Sequence, residues 1–329
     1  MKLKKCAALL LVSSCLLTGC TTSSAKKVDS KYVVASLEKG NKTKNIFADN
    51  LYKDIIDNSS NNSTVFNAVL QNLVDQKFPV NDDMKEDAAT IIKQIKSAYK
   101  SNYGDNYKDS LNQALTSAGY KNLSEYRQKM IKQIQYANFL LDYIDDHFDD
   151  VFNDYYQQCA PKYVSLIKIS LSDTSSPTDD ETSKLNEVKE LISNTDKSFG
   201  DIAQDYSNDS TSSKKGSLGI VDSKDTSGIA NSYGKDVFNE ALSEGQVSDV
   251  ITGDNGYYFV KVTSTDKKTL KKELKKTDID SPLLAYDDYL QYVVYNSYKI
   301  NYKDKDIKKI VQEVVNKALE ERKTERGEA

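Results

Sequence analysis

The chain has 329 residues, 29% of them charged, a net charge of −4 and a sequence pI near 5.4. It holds 22 Tyr and no Trp, four Cys and a single His, His147. With no dominant basic patch, nucleic acid is not an expected partner. One His argues against a His-based metal centre or a Ser-His-Asp triad, and no cofactor or metal is expected.

The first residues, MKLKKCAALLLVSSCLLTGC, place Lys2, Lys4 and Lys5 ahead of an apolar run from Cys6 to Leu17. That run is short for a membrane span and reads as a signal peptide over 1–19. Its end, Leu17-Thr18-Gly19-Cys20, resembles a bacterial lipobox, which implies cleavage before Cys20 and lipid on its thiol. Ordinary secretion with an incidental Cys is the other reading. Two acyl chains would hold the protein at a membrane stably. Residues 20–30 would then be a tether. Cleavage removes three Lys and no acid, so the net charge moves from −4 to −7. Cys6 and Cys15 leave with the signal and Cys20 is the anchor, so Cys159 has no disulfide partner within the chain.

Residues 31–160 read as a helical N-terminal arm behind one short strand, Lys31–Leu37. Phe66, Val69, Leu70, Leu73 and Val74 recur at helical spacing, and Pro79 ends that element. Met84 to Ala98 marks a second helix. Asp105 to Ala118 marks a third, closed by Gly119. Leu123 to Ile144 traces a fourth, opened by Asn122 or Ser124. His147, within an acidic DDHFDD stretch, reads as a solvated helix residue.

Residues 161–264 change pattern. Tyr163–Leu171 is a β-branched strand, Thr182–Ser193 a helix, and FGDIAQDY at 199–206 a short amphipathic helix. A polar loop follows, then Gly216-Ser217-Leu218-Gly219 turning into an extended segment. Asp236–Leu242 reads as a helix, Gly253–Gly256 as a hairpin turn, and YYFVKV at 257–262 as a final strand.

The run from Phe199 to Gly219 resembles the parvulin pattern F-x-x-LA-x-x-(F/Y)-S-x-(C/D)…G-x-(D/S)-LG, with Ile202 in place of Leu. The ending Gly245-Gln-Val-Ser248…Gly256-Tyr-Tyr-Phe-Val-Lys-Val262 resembles the parvulin ending as well. The stretch Gly119–Ile134, followed by an acidic helix, resembles the N-terminal arm of PrsA-like foldase lipoproteins. These resemblances imply an α+β fold, with helical N- and C-terminal chaperone-like parts around an inserted parvulin-like domain. That domain would be a small, mainly antiparallel sheet covered by helices.

The resemblance also implies the site. Asp209 takes the active-site Cys/Asp position, while Lys168 and Tyr258 stand where parvulins usually carry His. Phe238, Tyr233, Ile229, Leu218 and Ser207 would line the proline pocket. The resemblance implies a membrane-anchored extracytoplasmic foldase for exported, unfolded polypeptides, with isomerase activity reduced by the loss of both His. A non-catalytic holdase is the alternative. A solute-binding lipoprotein would need alternating strands and helices, against the helical pattern of 60–150.

Residues 265–329 read as a helical C-terminal segment. It contains a basic run, Lys267–Lys276, a helix face marked by Tyr286, Tyr289 and Val293, and an amphipathic helix from Ile307 to Ala318. The last would pack back on the N-terminal arm.

Overall fold

The structure is a computed structural model, and it describes residues 27–39, 42–224, 237–238, 241–253, 255–275, 279 and 281–328. It has two compact units. One is Asn81–Asp288; the other joins the residues up to Val80 to those from Tyr289 onward. No helix among the described residues is long and apolar enough to cross a membrane.

The second unit begins with a three-stranded antiparallel sheet, β1 (Lys27–Val28), β2 (Lys31–Lys39) and β3 (Lys42–Phe47). Helix α1 (Ala48–Ile56) follows, then α2 (Asn62–Lys77), after a 3-10 turn capped by the Asn58 side chain. Phe66 of α2 is fully buried. Its ring stacks on Tyr292 at 4.9 Å and meets the edge of Tyr295 at 5.1 Å. Both tyrosines come from the C-terminal part of the chain. Its last helix, with an apolar stripe of Ile310, Val311, Val315 and Ala318, packs on α2.

The Asn81–Asp288 unit opens with α3 (Asp82–Tyr103), α4 (Tyr107–Ser117), α5 (Leu123–Asp146) and α6 (Phe148–Cys159). The side chains of Asn81 and Asn122 accept the Met84 and Glu125 N–H groups and fix the starts of α3 and α5. Gly119, at φ +85°, closes α4. His147 lies at the junction of α5 and α6 rather than inside a helix, with its ring stacked on Tyr143.

The sheet that follows has the order β5-β4-β7-β6 and is antiparallel throughout. Its strands are β4 (Lys162–Ser170), β5 (Ser217–Val221), β6 (Ile251–Gly253) and β7 (Gly256–Ser264). Alternation along β4 and β7 sends side chains to two faces. Ile167, Ile169 and Phe259 pack under α7 (Asp179–Asn194) and α8 (Phe199–Tyr206), with Leu185, Val188, Phe199 and Ile202. Val164, Leu166, Tyr258, Val260 and Val262 form the opposite face with Val221, Val237 and Leu242.

Thr178 and Glu181 form a capping box at the start of α7. The backbone N–H groups of Thr178 and Ser172 donate to the Glu181 carboxylate and pull its pKa down to about 2. A depressed carboxylate stabilises the fold above its unfolded pKa, here 4.5, and that stabilisation is lost as pH falls through about 2. Protection factors of the first-turn amides of α7, exchange rates taken relative to the unstructured peptide at the same pH, are therefore expected to fall across this acid window in the wild type. In Glu181→Gln the protection factors should be low and independent of pH over the same window, as read by exchange NMR.

Beyond β7 come α9 (Lys267–Leu274), a 3-10 turn at Pro282–Leu284, α10 (Leu290–Ser297) and α11 (Lys305–Glu325), the last helix noted above. The helix expected to carry Tyr286, Tyr289 and Val293 on one face starts only at Leu290. Tyr286 instead turns into the first unit, with its ring against Tyr155 at 5.5 Å and its hydroxyl on Asp154. Spacing alone ran the pattern through a chain turn.

Candidate active site

β4 and β7 are the central strands of their sheet, and their register sets Lys168 directly opposite Tyr258. Both side chains lie on the face of Val164, Leu166, Val260 and Val262, with the Lys168 Nζ 5.6 Å from the centre of the Tyr258 ring. Tyr258 is 4% exposed, and its hydroxyl donates to Asn255 Oδ1. The ring also lies over Gly253, where a Cβ would sit 2.6 Å from Tyr258 Cε2. Any side chain there would displace the ring.

The loop after α8 is tied to β4 by its own backbone. Ser207 Oγ accepts the N–H groups of Lys168 at 3.0 Å and Asp209 at 3.2 Å, and Asn208 N–H donates to the Lys168 carbonyl at 2.7 Å. This engages the Ser207 hydroxyl in holding the loop. Asp209 is 7% exposed, and its Oδ1 accepts the Thr211 N–H at 2.9 Å. Among the described residues no ion pair joins Asp209 to Lys168. The loop returns through Gly216 at φ +74°, whose carbonyl accepts the Leu166 N–H.

Leu218 and Phe238 are partly buried and pack on the same face as Tyr258. Two residues not singled out in the sequence join them. Ile251 of β6 packs on this face, and Lys162 sets its Nζ 4.6 Å above the Phe238 ring while donating to the Leu242 carbonyl at 2.7 Å. Partial burial pushes the Lys162 pKa down. The even-numbered alternation of β4 could have signalled Lys162, since it shares the parity of Val164, Leu166 and Lys168. Ile229, Tyr233 and Cys20 lie outside the described residues.

The face is therefore apolar at its centre, with Leu218, Phe238, Ile251 and the Tyr258 ring partly or wholly covering it. Polar groups beside the Tyr258 ring come from Lys168 and Asn255, and the Asp209 loop is bonded to the Lys168 backbone. Among the described residues no group of three or more His, Cys, Asp or Glu is placed to hold a metal. Such a surface suits a reaction that needs shape and desolvation and no covalent step.

Residues 156–267 match the family model of the PPIC-type PPIase domain. The foldase protein PrsA of Staphylococcus epidermidis is 32% identical over 139 residues, 40% of this chain and 41% of that protein. PrsA of Staphylococcus aureus aligns to the same extent. Among solved structures, PrsA of Streptococcus pneumoniae covers 85% of this chain and 99% of its own at 21% identity and a TM-score of 0.38. PrsA of Bacillus subtilis gives 85%, 98%, 22% and 0.37.

Residues 156–267 are thus a domain similar to the PPIC-type PPIase domain, within an α+β chain. The chain is similar to PrsA over an aligned region that spans about 41% of the length of the staphylococcal relatives.

Proposed function

We propose that this protein is an extracytoplasmic foldase held at the membrane by lipid on Cys20, and that its parvulin-type domain isomerises X-Pro bonds in exported polypeptides. The observation that carries this reading is the pairing of Lys168 and Tyr258 across β4 and β7, on the face that Leu218 and Phe238 pack against, with the loop of the buried Asp209 tied to the Lys168 backbone.

An X-Pro bond isomerises in tens to hundreds of seconds unaided, over a barrier of about 18–20 kcal/mol. Lowering that barrier requires weakening the amide resonance. An apolar surface does so by stripping water from the carbonyl and binding the twisted amide better than either planar form. Phe238, Leu218 and the Tyr258 ring supply that surface for the proline ring. Asp209, buried at its edge, places a negative charge where the twisting peptide is bound. Lys168 and Tyr258 in place of His change the hydrogen bonding of the site. Lys168 only donates, whereas a hydroxyl both donates and accepts. Reduced turnover follows from that exchange.

A second reading is a holdase that binds unfolded chains without catalysis. It is favoured by one detail: the Tyr258 hydroxyl is already engaged by Asn255.

The test is the isomerisation rate of a chromogenic X-Pro peptide with residues 21–329, alongside Asp209→Ala and Asp209→Asn. Asn keeps an acceptor for the Thr211 N–H and removes the charge. Acceleration by the wild type, lowered about tenfold or more in both variants, equivalent to roughly 1.4 kcal/mol per decade, is the expected result. No acceleration, with suppressed aggregation of an unfolded client, would establish the holdase instead.

A further inference from the structure

Helix α1 has no buried residue, although it is amphipathic. Leu51, Tyr52 and Ile55, at spacings of one, three and four, are 45%, 44% and 46% exposed. Strand β2, against which α1 lies, exposes Tyr32 at 49% and Val34 at 46%. A nine-residue helix does not hold itself in water. Helices below about 12–15 residues are marginal without a packed apolar face. Large apolar side chains left exposed on α1 and on the strand beside it are the kind of exposure that marks an interaction surface.

The chain itself indicates which partner. Only residues 21–26 separate Cys20 from β1 at Lys27. Even fully extended, that link reaches roughly 25 Å, at about 3.3–3.6 Å per residue. A lipid on Cys20 therefore keeps β2 and α1 beside the bilayer. The charge agrees. Residues 21–57 carry seven Lys and five acids, a net +2 in a mature chain of −7, which leaves −9 on the remainder. The chemistry agrees too. Tyr32 has an apolar ring with a polar tip, suited to the headgroup boundary, and Lys27 Nζ lies 4.4 Å from its ring centre, whereas the Tyr52 hydroxyl donates to Asp304 and leaves only its ring for the interface. A short apolar face bordered by lysines lies in the plane of an anionic interface.

We infer that the α1–β2 face is a membrane-docking surface, which seats this unit on anionic lipid and orients the protein at its anchor. The inference rests on the lipid-anchor reading for its geometry, but the surface can be examined without the lipid.

The experiment is co-sedimentation of residues 21–329, carrying no lipid, with phosphatidylcholine vesicles made with and without phosphatidylglycerol. The wild type is expected to sediment with the anionic vesicles and far less with the neutral ones. Leu51→Glu/Ile55→Glu is expected to lower the partition coefficient about tenfold or more, since it removes two apolar side chains from the interface. Both positions are exposed, so the double variant should keep the wild-type circular dichroism and unfolding midpoint. A wild type that stays in the supernatant with both vesicles overturns the inference, and so does a double variant that sediments equally well. Concentration-dependent self-association lost in the double variant, without vesicle binding, would assign the face to a second copy and also overturn it. The anchor is tested separately, by whether Cys20→Ala releases the protein from the cell membrane fraction.

Discussion

Gly216→Val is expected to remove most of the stability of the parvulin-type domain. Gly216 sits at φ +74°, a region that costs an L-residue roughly 1–2 kcal/mol and a β-branched one more. Space is lacking as well. A Cβ there would lie 2.5 Å from the Leu166 carbonyl oxygen and 2.8 Å from the Ala203 Cβ. Neither is the free end of a flexible side chain. The first is the backbone of the central strand, and the second belongs to α8, packed on that strand. Relief would require parting β5 from β4 and breaking the bond from Leu166 N–H to the Gly216 carbonyl. Backbone strain and overpacking of about 1–3 kcal/mol together reach roughly 3–5 kcal/mol, a large share of a typical 5–15 kcal/mol. Urea unfolding followed by circular dichroism should show a transition at much lower denaturant. A midpoint within error of the wild type would mean that the Gly216 turn is not built as described.

Phe66→Ala is the second large effect, in the other unit. The ring is fully buried between Tyr292 and Tyr295, so truncation loses its transfer energy and leaves a cavity that two large rings cannot easily fill. Such changes cost about 3–5 kcal/mol. Because Phe66 belongs to α2 and both tyrosines to α10, the loss falls on the joint between the early and late parts of the chain. Amide exchange in α2, α10 and α11 should accelerate together. Phe66→Leu, which keeps most of the volume, should cost clearly less. Equal effects of the two substitutions would show that the aromatic contacts, lost in both, carry the effect and the retained volume contributes little.

Much of this fold was legible in the sequence, for physical reasons. α2, α3, α4 and α5 carry apolar residues at helical spacing and begin or end on Asn81, Asn122 and Gly119, residues that cap locally. β4 and β7 are β-branched, and their neighbours in sequence are turns. Other elements were not legible. β3, KTKNIF, has little alternation and is a strand because it folds back on β2 as a hairpin. α1 follows it with no apolar face buried. Tyr286 fits a helical spacing with Tyr289 and Val293, yet the chain breaks between them. The site shows the same division. Asp209 and its loop could be read in order along the chain. Alternation along β4 puts Lys162 on the site face, but its contact with Phe238 joins residues 76 positions apart, which no local pattern encodes.

The most direct test of the central claim is where a proline peptide binds. Titrating a short X-Pro peptide into isotopically labelled residues 21–329 and following amide and methyl shifts by NMR would locate it. The account predicts that shifts concentrate at Leu218, Phe238, Ile251 and Tyr258 and in the Asp209 loop, with exchange between cis and trans peptide signals quickened by the protein. Shifts confined to α2, α10 and α11, with the sheet face unmoved, would contradict it.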